Sequence, residues 1–237
     1  MNQDGLRFYE DDDPPQASPF ATIPECVWKK IVDWTYADDS NDAPWDVVLP
    51  RLLRDGNVPP EVIKEIMSSI GIPAESILGL YRSASNQIIL FPPTIKLCAR
   101  SLKVKDTILK HVVLVHEMGH WFHKVTVGNS PVPTYSNSST ELKECIAQWF
   151  AANLFSTVKR FPPRPPFRPS GASDVFVRDY EDAFVKLNIR QSQTYKCFQQ
   201  FSGKSPEAFI AAMKSLRSVA FNTDLPDFAA AFPPAKT

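Results

Sequence analysis

The sequence predicts a helix-rich α+β fold, and two observations support this class. Apolar residues recur at the spacing of an amphipathic helix through most of the chain. Residues 79–91 (GLYRSASNQIILF) instead hold two short apolar runs around a polar turn, the pattern of a strand pair or of a single strand with an entry turn. With 237 residues, 43% of them hydrophobic and 22% charged, the chain can bury the core of one large domain.

Three helices are expected before the strand pair. Residues 1–20 are acidic and contain several prolines, which predicts a flexible tail. A helix follows from Pro24, and a second spans residues 43–54, where Pro50 should kink or break it. A third runs over residues 59–71, opened by two prolines and closed by a glycine. None of these helices carries a group of catalytic residues.

The strand pair has its turn at Ser83–Asn86 and ends at Pro92 and Pro93. Proline cannot donate to a strand ladder, so a strand that ends in proline is expected near the edge of a sheet. The next helix is expected from about Asp106, as its N-cap, to about Lys124. Its apolar residues cover most of its circumference, as in a buried helix.

This predicted helix contains the sequence His116-Glu117-Met118-Gly119-His120 and all 4 histidines of the chain. On a helix, positions i and i+4 lie about 40° apart and roughly 6 Å along the axis. His116 and His120 can therefore bind one metal ion, as two imidazoles of a zinc site do. Glu117 stands beside the first ligand, where it could hold a water molecule and accept its proton. The motif predicts a zinc site.

A catalytic zinc site normally has three protein ligands and one open position, so a third ligand is needed. His123 lies roughly 10 Å along the helix from His116, too far for these two and His120 to meet one ion. We interpret His123 as a residue of the site's rim or the helix end, where its charge would suit the C-terminus. The longer pattern of the metzincin class is absent, because its further positions hold His123 and Thr126.

The better candidates for the third ligand are Glu141 and Glu144, which lie on the next predicted helix, residues 141–155. They are three residues apart and share neighbouring parts of one helix face. Glu144 is preferred because apolar residues flank it. Ala147 and Ala151, one turn apart, would also let this helix approach the metal helix closely.

HEMGHW, followed by a short loop and ECIAQWFAANLF, resembles the small gluzincin-type metallopeptidases of the ImmA/IrrE kind. GLYRSASNQIILF resembles the strand that precedes their metal helix. The resemblance implies a zincin-like domain, in which a small sheet packs on an active-site helix and a Glu-bearing helix. It further implies peptide-bond hydrolysis, with His116, His120 and Glu144 as zinc ligands and Glu117 as general base.

The resemblance predicts a zinc-dependent peptidase that acts on a peptide or protein substrate. Zn²⁺ would lower the pKa of its water and polarise the scissile carbonyl, and Glu117 would pass the proton to the leaving amine. Tyr135 and His123 are candidates for stabilising the oxyanion. The chain departs from the family pattern at Gln148, one turn after Glu144, where Asn or Asp is usual.

Two alternatives use the same residues. A set of two histidines and one carboxylate could hold Fe(II) for oxidation chemistry in a non-haem iron enzyme. The metal could also be structural, and the chain a regulatory or interaction protein without turnover.

The predicted organisation has four parts: a flexible acidic tail (1–20), a zincin-like metallopeptidase domain (21–160), a proline-rich connector (161–173) and a C-terminal helical extension packed on the same domain (174–237). The connector holds a Pro-x-x-Pro spacing within residues 161–169, which could bind an aromatic groove of a protein partner.

Charge and hydropathy narrow the function classes. Lysine plus arginine and aspartate plus glutamate number 26 each, so no net charge favours nucleic acid or an acidic membrane surface. The chain has no run of 18 apolar residues and no signal-peptide core, which predicts a cytoplasmic protein without a membrane span. The 4 cysteines are widely spaced, with no Cys-x-x-Cys pair, and are expected to be free thiols.

Overall fold

The computed structural model shows a helix-rich α+β fold with one small sheet. It describes residues 5–37, 44–71, 73, 77–127, 134–160, 174–216 and 224–232, without the side chains of residues 134 and 155–160. The predicted connector, residues 161–173, lies outside the described residues. Two compact units are made by the described residues of 1–82, 87–114 and 169–191, and by those of 83–86, 115–168 and 192–237.

The sheet of the first unit has three strands: β1 (Arg7–Glu10), β2 (Gly79–Arg82) and β3 (Gln87–Leu90). Their order is β1-β3-β2, with β1 parallel and β2 antiparallel to β3. The predicted strand pair is therefore confirmed, but the prediction that it ends near a sheet edge is wrong, since β3 is the central strand. Pro92 and Pro93 lie beyond the ladder, at the start of a helix, where their missing N–H groups cost nothing.

Strand β1 corrects the prediction of a flexible tail over residues 1–20. Arg7 to Glu10 pair with Gln87 to Leu90, and the Glu10 carboxylate forms an ion pair with Lys110. All four strand residues are exposed, so the strand is held by backbone hydrogen bonds and leaves no apolar pattern in the sequence. The indole Nε1 of Trp28 fixes the chain just after the strand by donating to the Asp12 carbonyl at 2.7 Å.

Five α-helices, a 3₁₀ helix (Pro19–Thr22) and the first part of a sixth α-helix complete the first unit. The five are α1 (Glu25–Tyr36), α2 (Trp45–Asp55), α3 (Pro60–Gly71), α4 (Pro92–Leu102) and α8 (Asp174–Arg190). The sixth, α5 (Asp106–Val127), belongs to this unit up to residue 114. Helices α1 to α3 and α8 are confirmed, and α2 continues through Pro50 without ending there. Helix α4 was not predicted. It is the most buried helix of the unit and packs against α1, α2, α3 and α8.

The second unit contains the last part of α5 (Asp106–Val127), α6 (Thr134–Asn137), α7 (Thr140–Arg160), a 3₁₀ helix (Gln193–Phe201), α9 (Pro206–Ser215) and α10 (Leu225–Ala230). Helix α7 packs against the 3₁₀ helix and α10. Its Trp149 ring stacks on Phe209 at 3.7 Å between centroids, and Phe209 in turn meets Phe201 and Phe228. We call these four residues the aromatic cluster.

Within the described ranges, no helix is both long and apolar enough to cross a membrane.

Candidate metal site

Helix α5 carries the two histidines of the motif. It spans 22 residues, starts at the predicted Asp106 and continues past the predicted end to Val127. His116 and His120 are only 3% and 7% exposed, and their ring centroids are 4.9 Å apart. The i, i+4 spacing therefore places both imidazoles together inside the protein, as predicted.

Helix α7 comes close to α5 because two small residues face each other. A Cβ atom added to Gly119 would lie 2.7 Å from the Ala147 Cα and 2.9 Å from the Ala147 carbonyl oxygen. Ordinary carbon contacts need about 3.5 to 4.0 Å, so only glycine fits here. The predicted close approach at Ala147 is confirmed. The residue that faces Ala147 is Gly119, one of the two variable positions of the His-Glu-x-x-His motif, and the sequence analysis does not predict this contact.

This approach places Glu144 next to both histidines. The Glu144 Oε2 atom lies 3.3 Å from His116 Nε2 and 3.7 Å from His120 Nε2, and the two Nε2 atoms are 3.1 Å apart. In a tetrahedral site with ligand atoms about 2.1 Å from the ion, neighbouring ligand atoms are about 3.4 Å apart. The three atoms thus form one face of such a tetrahedron, and this buried group could hold a metal ion.

The chemistry of the donor set also fits a cation. A single imidazole proton could bridge only two of the three converging atoms, whereas a cation would satisfy all three. The pKa of His120 is lowered to about 4, chiefly by burial; Glu144 opposes the shift, and the neighbouring His116 and Lys143 add to it. His120 is therefore neutral at pH 7, the form in which imidazole binds metals.

Glu117 and Gln148 lie inside the protein near these ligands in sequence. Glu117 is 1% exposed and follows His116 directly, while Gln148 is 2% exposed and stands one helical turn after Glu144. A buried carboxyl or amide group needs polar partners, and both residues have them. The role of Glu117 as general base stays a prediction at this point.

His123 corrects the interpretation of a rim or helix-end residue. The side chain is 0% exposed, and burial, then His120 and Lys143, lower its pKa to about 3. The imidazole is therefore neutral at pH 7 and cannot provide a charge for the helix end. The prediction failed because α5 continues for another turn beyond Lys124, so that His123 lies inside the helix.

Tyr135, on α6, is the other candidate for stabilising an oxyanion. Its ring centroid lies 5.1 Å from that of His123 and 6.5 Å from that of His120. The Lys143 ammonium group sits 5.2 Å from the centre of the same ring. The Tyr135 ring thus lies beside His123 and near the metal-ligand candidate His120, and its phenol group stays a candidate for stabilising the oxyanion.

Two further residues near the ligands were missed by sequence reasoning, and both lie on the 3₁₀ helix. The Tyr195 ring is 6.4 Å from the His116 ring, centroid to centroid. The Cys197 thiol donates to the Thr194 carbonyl at 2.8 Å and lies 3.7 Å from the Glu141 carbonyl oxygen of α7. No local signal could have found them, because their position depends on how residues 193–201 pack on α7.

Comparisons of the chain with protein-family models, with curated proteins and with solved structures found no match. The arrangement of His116, His120 and Glu144 is therefore the observation from which its function is argued.

Proposed function

We propose that the protein is a zinc-dependent metallopeptidase of the gluzincin type. One observation carries the proposal: the buried Nε2 atoms of His116 and His120 and the Oε2 atom of Glu144 lie at the spacing of one face of a tetrahedral site. Three protein ligands with one position left for water or substrate are typical of catalytic zinc, whereas structural zinc sites have four.

Bound zinc supplies Lewis acidity, which lowers the pKa of a water ligand and polarises a substrate carbonyl. The protein's own part is proton transfer. Glu117 is the carboxylate adjacent to the first ligand, and its burial strengthens its interaction with a nearby proton donor. In the proposed reaction Glu117 accepts the proton of the attacking water and then gives it to the leaving amine of the cleaved peptide.

The first experiment tests Glu117. Glu117→Gln keeps the size of the side chain but removes the base, so we expect zinc content to stay near that of the wild type. Hydrolysis of a fluorogenic peptide library should fall by about 100-fold or more, the usual contribution of a general base. A variant that keeps its activity would contradict the mechanism. Zinc binding without turnover in the wild type would favour the regulatory alternative.

A second experiment tests the third ligand with a matched pair. Glu144→Ala should lose zinc, because Glu144 provides one of the three converging atoms. Glu141→Ala changes the same residue type one turn earlier, at an exposed position, and should keep zinc. Elemental analysis after mild anaerobic purification gives both results and also separates zinc from iron, which the same donors could bind. Equal zinc content in the two variants would contradict the ligand assignment.

A further inference from the structure

Lys143 places a positive charge beside the candidate metal site. It precedes Glu144 on α7, and its Nζ atom lies 5.2 Å from the centre of the Tyr135 ring. That centre is in turn 6.5 Å from the centre of the His120 ring. The ammonium group is therefore within about 12 Å of the ring of a proposed metal ligand. All four residues belong to the second unit.

The ammonium group of Lys143 is partly withdrawn from water, yet no carboxylate in the described part of the chain forms an ion pair with it. Its contacts are the face of the Tyr135 ring and the Ser136 carbonyl, to which it donates at 3.4 Å. The Glu144 carboxylate, next to it in sequence, directs its Oε2 atom to the two histidines. A half-buried cation without an anionic partner can gain one from a ligand.

We propose that Lys143 binds a carboxylate of the peptide substrate, so that the protein cleaves close to an acidic side chain or a free C-terminus. This inference rests on the proposed peptidase function and names its substrate class. The cation–π contact with Tyr135 holds the ammonium group in place, and the substrate carboxylate accepts its hydrogen bond. A peptide advances at most about 3.6 Å per residue, so this carboxylate belongs to one of about three residues nearest the cleaved bond.

A structural role for Lys143 predicts a different result from a role in recognition. If Lys143 only packs on Tyr135, its replacement changes stability, or changes kcat/KM equally for every substrate. If Lys143 recognises a carboxylate, its replacement changes the ratio of kcat/KM between acidic and neutral substrates. The ratio is therefore the quantity to measure.

The test uses the full-length protein and peptides of one neutral sequence. One peptide is the free acid and one is the C-terminal amide; further amides carry a single glutamate, or a glutamine in its place, at each position in turn. We expect the wild type to prefer the free acid to its amide, or a glutamate peptide to its glutamine counterpart, by about 10- to 100-fold in kcat/KM, the value of one hydrogen bond to a charged group. The peptide that shows the preference identifies the source of the carboxylate.

Three variants assign this preference to Lys143. Lys143→Gln should bring the ratio close to 1 while it keeps zinc and its activity on neutral peptides. Lys143→Arg retains the charge and should retain the preference. Lys214→Gln is the matched control, because it removes an exposed lysine of α9 in the same unit and should leave the ratio unchanged.

Peptide binding gives a second readout that needs no turnover. Fluorescence anisotropy with labelled forms of the same peptides is measured on Glu117→Gln and on the double variant Glu117→Gln/Lys143→Gln. The preference for carboxylate peptides should be present in the first and absent from the second.

Two outcomes overturn the inference: acidic and neutral peptides bind and react alike in the wild type, or the preference persists in Lys143→Gln. The second outcome would mean that another group, such as the metal, holds the carboxylate. A zinc-loaded wild type that cleaves none of the peptides overturns the proposed function instead, and the anisotropy ratio then still decides whether Lys143 binds a carboxylate.

Discussion

The contact between Gly119 and Ala147 allows a prediction in which two effects of one substitution have opposite signs. Replacing glycine by alanine inside a helix normally stabilises it by about 1 kcal/mol. At Gly119 the new methyl group would lie 2.7 Å from the Ala147 Cα atom and 2.9 Å from its carbonyl oxygen. Both are backbone atoms, so no side-chain rotation can relieve the contact.

The steric effect should win. Inserting a methyl group into a packed core costs about 1–3 kcal/mol, and a clash with backbone atoms belongs at the upper end. With the gain in helix propensity subtracted, Gly119→Ala should lower the free energy of unfolding by about 2 kcal/mol. For a chain of this size that corresponds to a fall in Tm of roughly 4–8 °C.

The same substitution should also weaken metal binding. To restore an ordinary carbon contact of about 3.5 Å, α5 and α7 must separate locally by roughly 0.8 Å. That is several times the tolerance of a metal–ligand distance, about 0.2 Å, and it acts between the two histidines and Glu144. We therefore expect zinc affinity to fall by at least about 10-fold.

Thermal unfolding and chelator competition measure the two effects, with Gly203→Ala as control. Gly203 has no heavy atom within 4 Å of an added Cβ, so its replacement should leave Tm and zinc affinity nearly unchanged. If Gly119→Ala raised Tm and kept zinc affinity, helix propensity alone would explain the result, and the close approach of α5 and α7 would be refuted.

Two other predictions concern residues beside the ligands. The pKa of His123 falls from about 6.5 in the unfolded chain to about 3 in the folded protein. Between these two pH values the unfolded state binds more protons than the folded state, so the free energy of unfolding decreases as pH falls below about 6.5. Between pH 7 and pH 5, His123 alone should lower the free energy of unfolding of the metal-free protein by about 2 kcal/mol. Urea titrations at both pH values should show that His123→Leu removes this part of the decrease. An unchanged pH dependence in the variant would contradict the burial of His123 as a neutral group. Tyr135→Phe should lower kcat by about 100-fold with zinc retained, if its phenol donates to the oxyanion. Tyr195→Phe is the comparison. If kcat falls in Tyr195→Phe and not in Tyr135→Phe, the donor to the oxyanion is Tyr195.

The histidine pair could be predicted from the sequence because a single helix determines it. The i, i+4 spacing brings His116 and His120 together whatever the rest of the fold does. Glu144 required a contact between two helices, and its apolar surroundings and small neighbours were enough to prefer it over Glu141. The structure places Glu144 with the histidines and leaves Glu141 exposed.

The errors have equally physical causes. Strand β1 has four exposed residues, so it buries no apolar side chain and no periodicity reveals it; it is held by backbone pairing with β3 and by the ion pair of Glu10 with Lys110. Helix α4 was overlooked because Pro92 and Pro93 were interpreted as the end of a strand, although proline is also favoured in the first turn of a helix. Ile95, Cys98 and Leu102 have helical spacing and are buried, and they could have indicated this helix.

The position of the third ligand depends on residues that coordinate nothing. Helix α7 is fixed against α5 through Ala147 and Gly119, and it is fixed against the C-terminal helices through the stacking of Trp149 on Phe209. Glu144 lies within five residues of both contacts, so its carboxylate is positioned by packing on each. Residues 193–216 and 224–232, which hold no predicted ligand, are in this sense part of the metal site. They also bring Tyr195 beside His116 and Cys197 beside the Glu141 carbonyl of α7, which is why a motif confined to α5 and α7 could predict the ligands and not their surroundings.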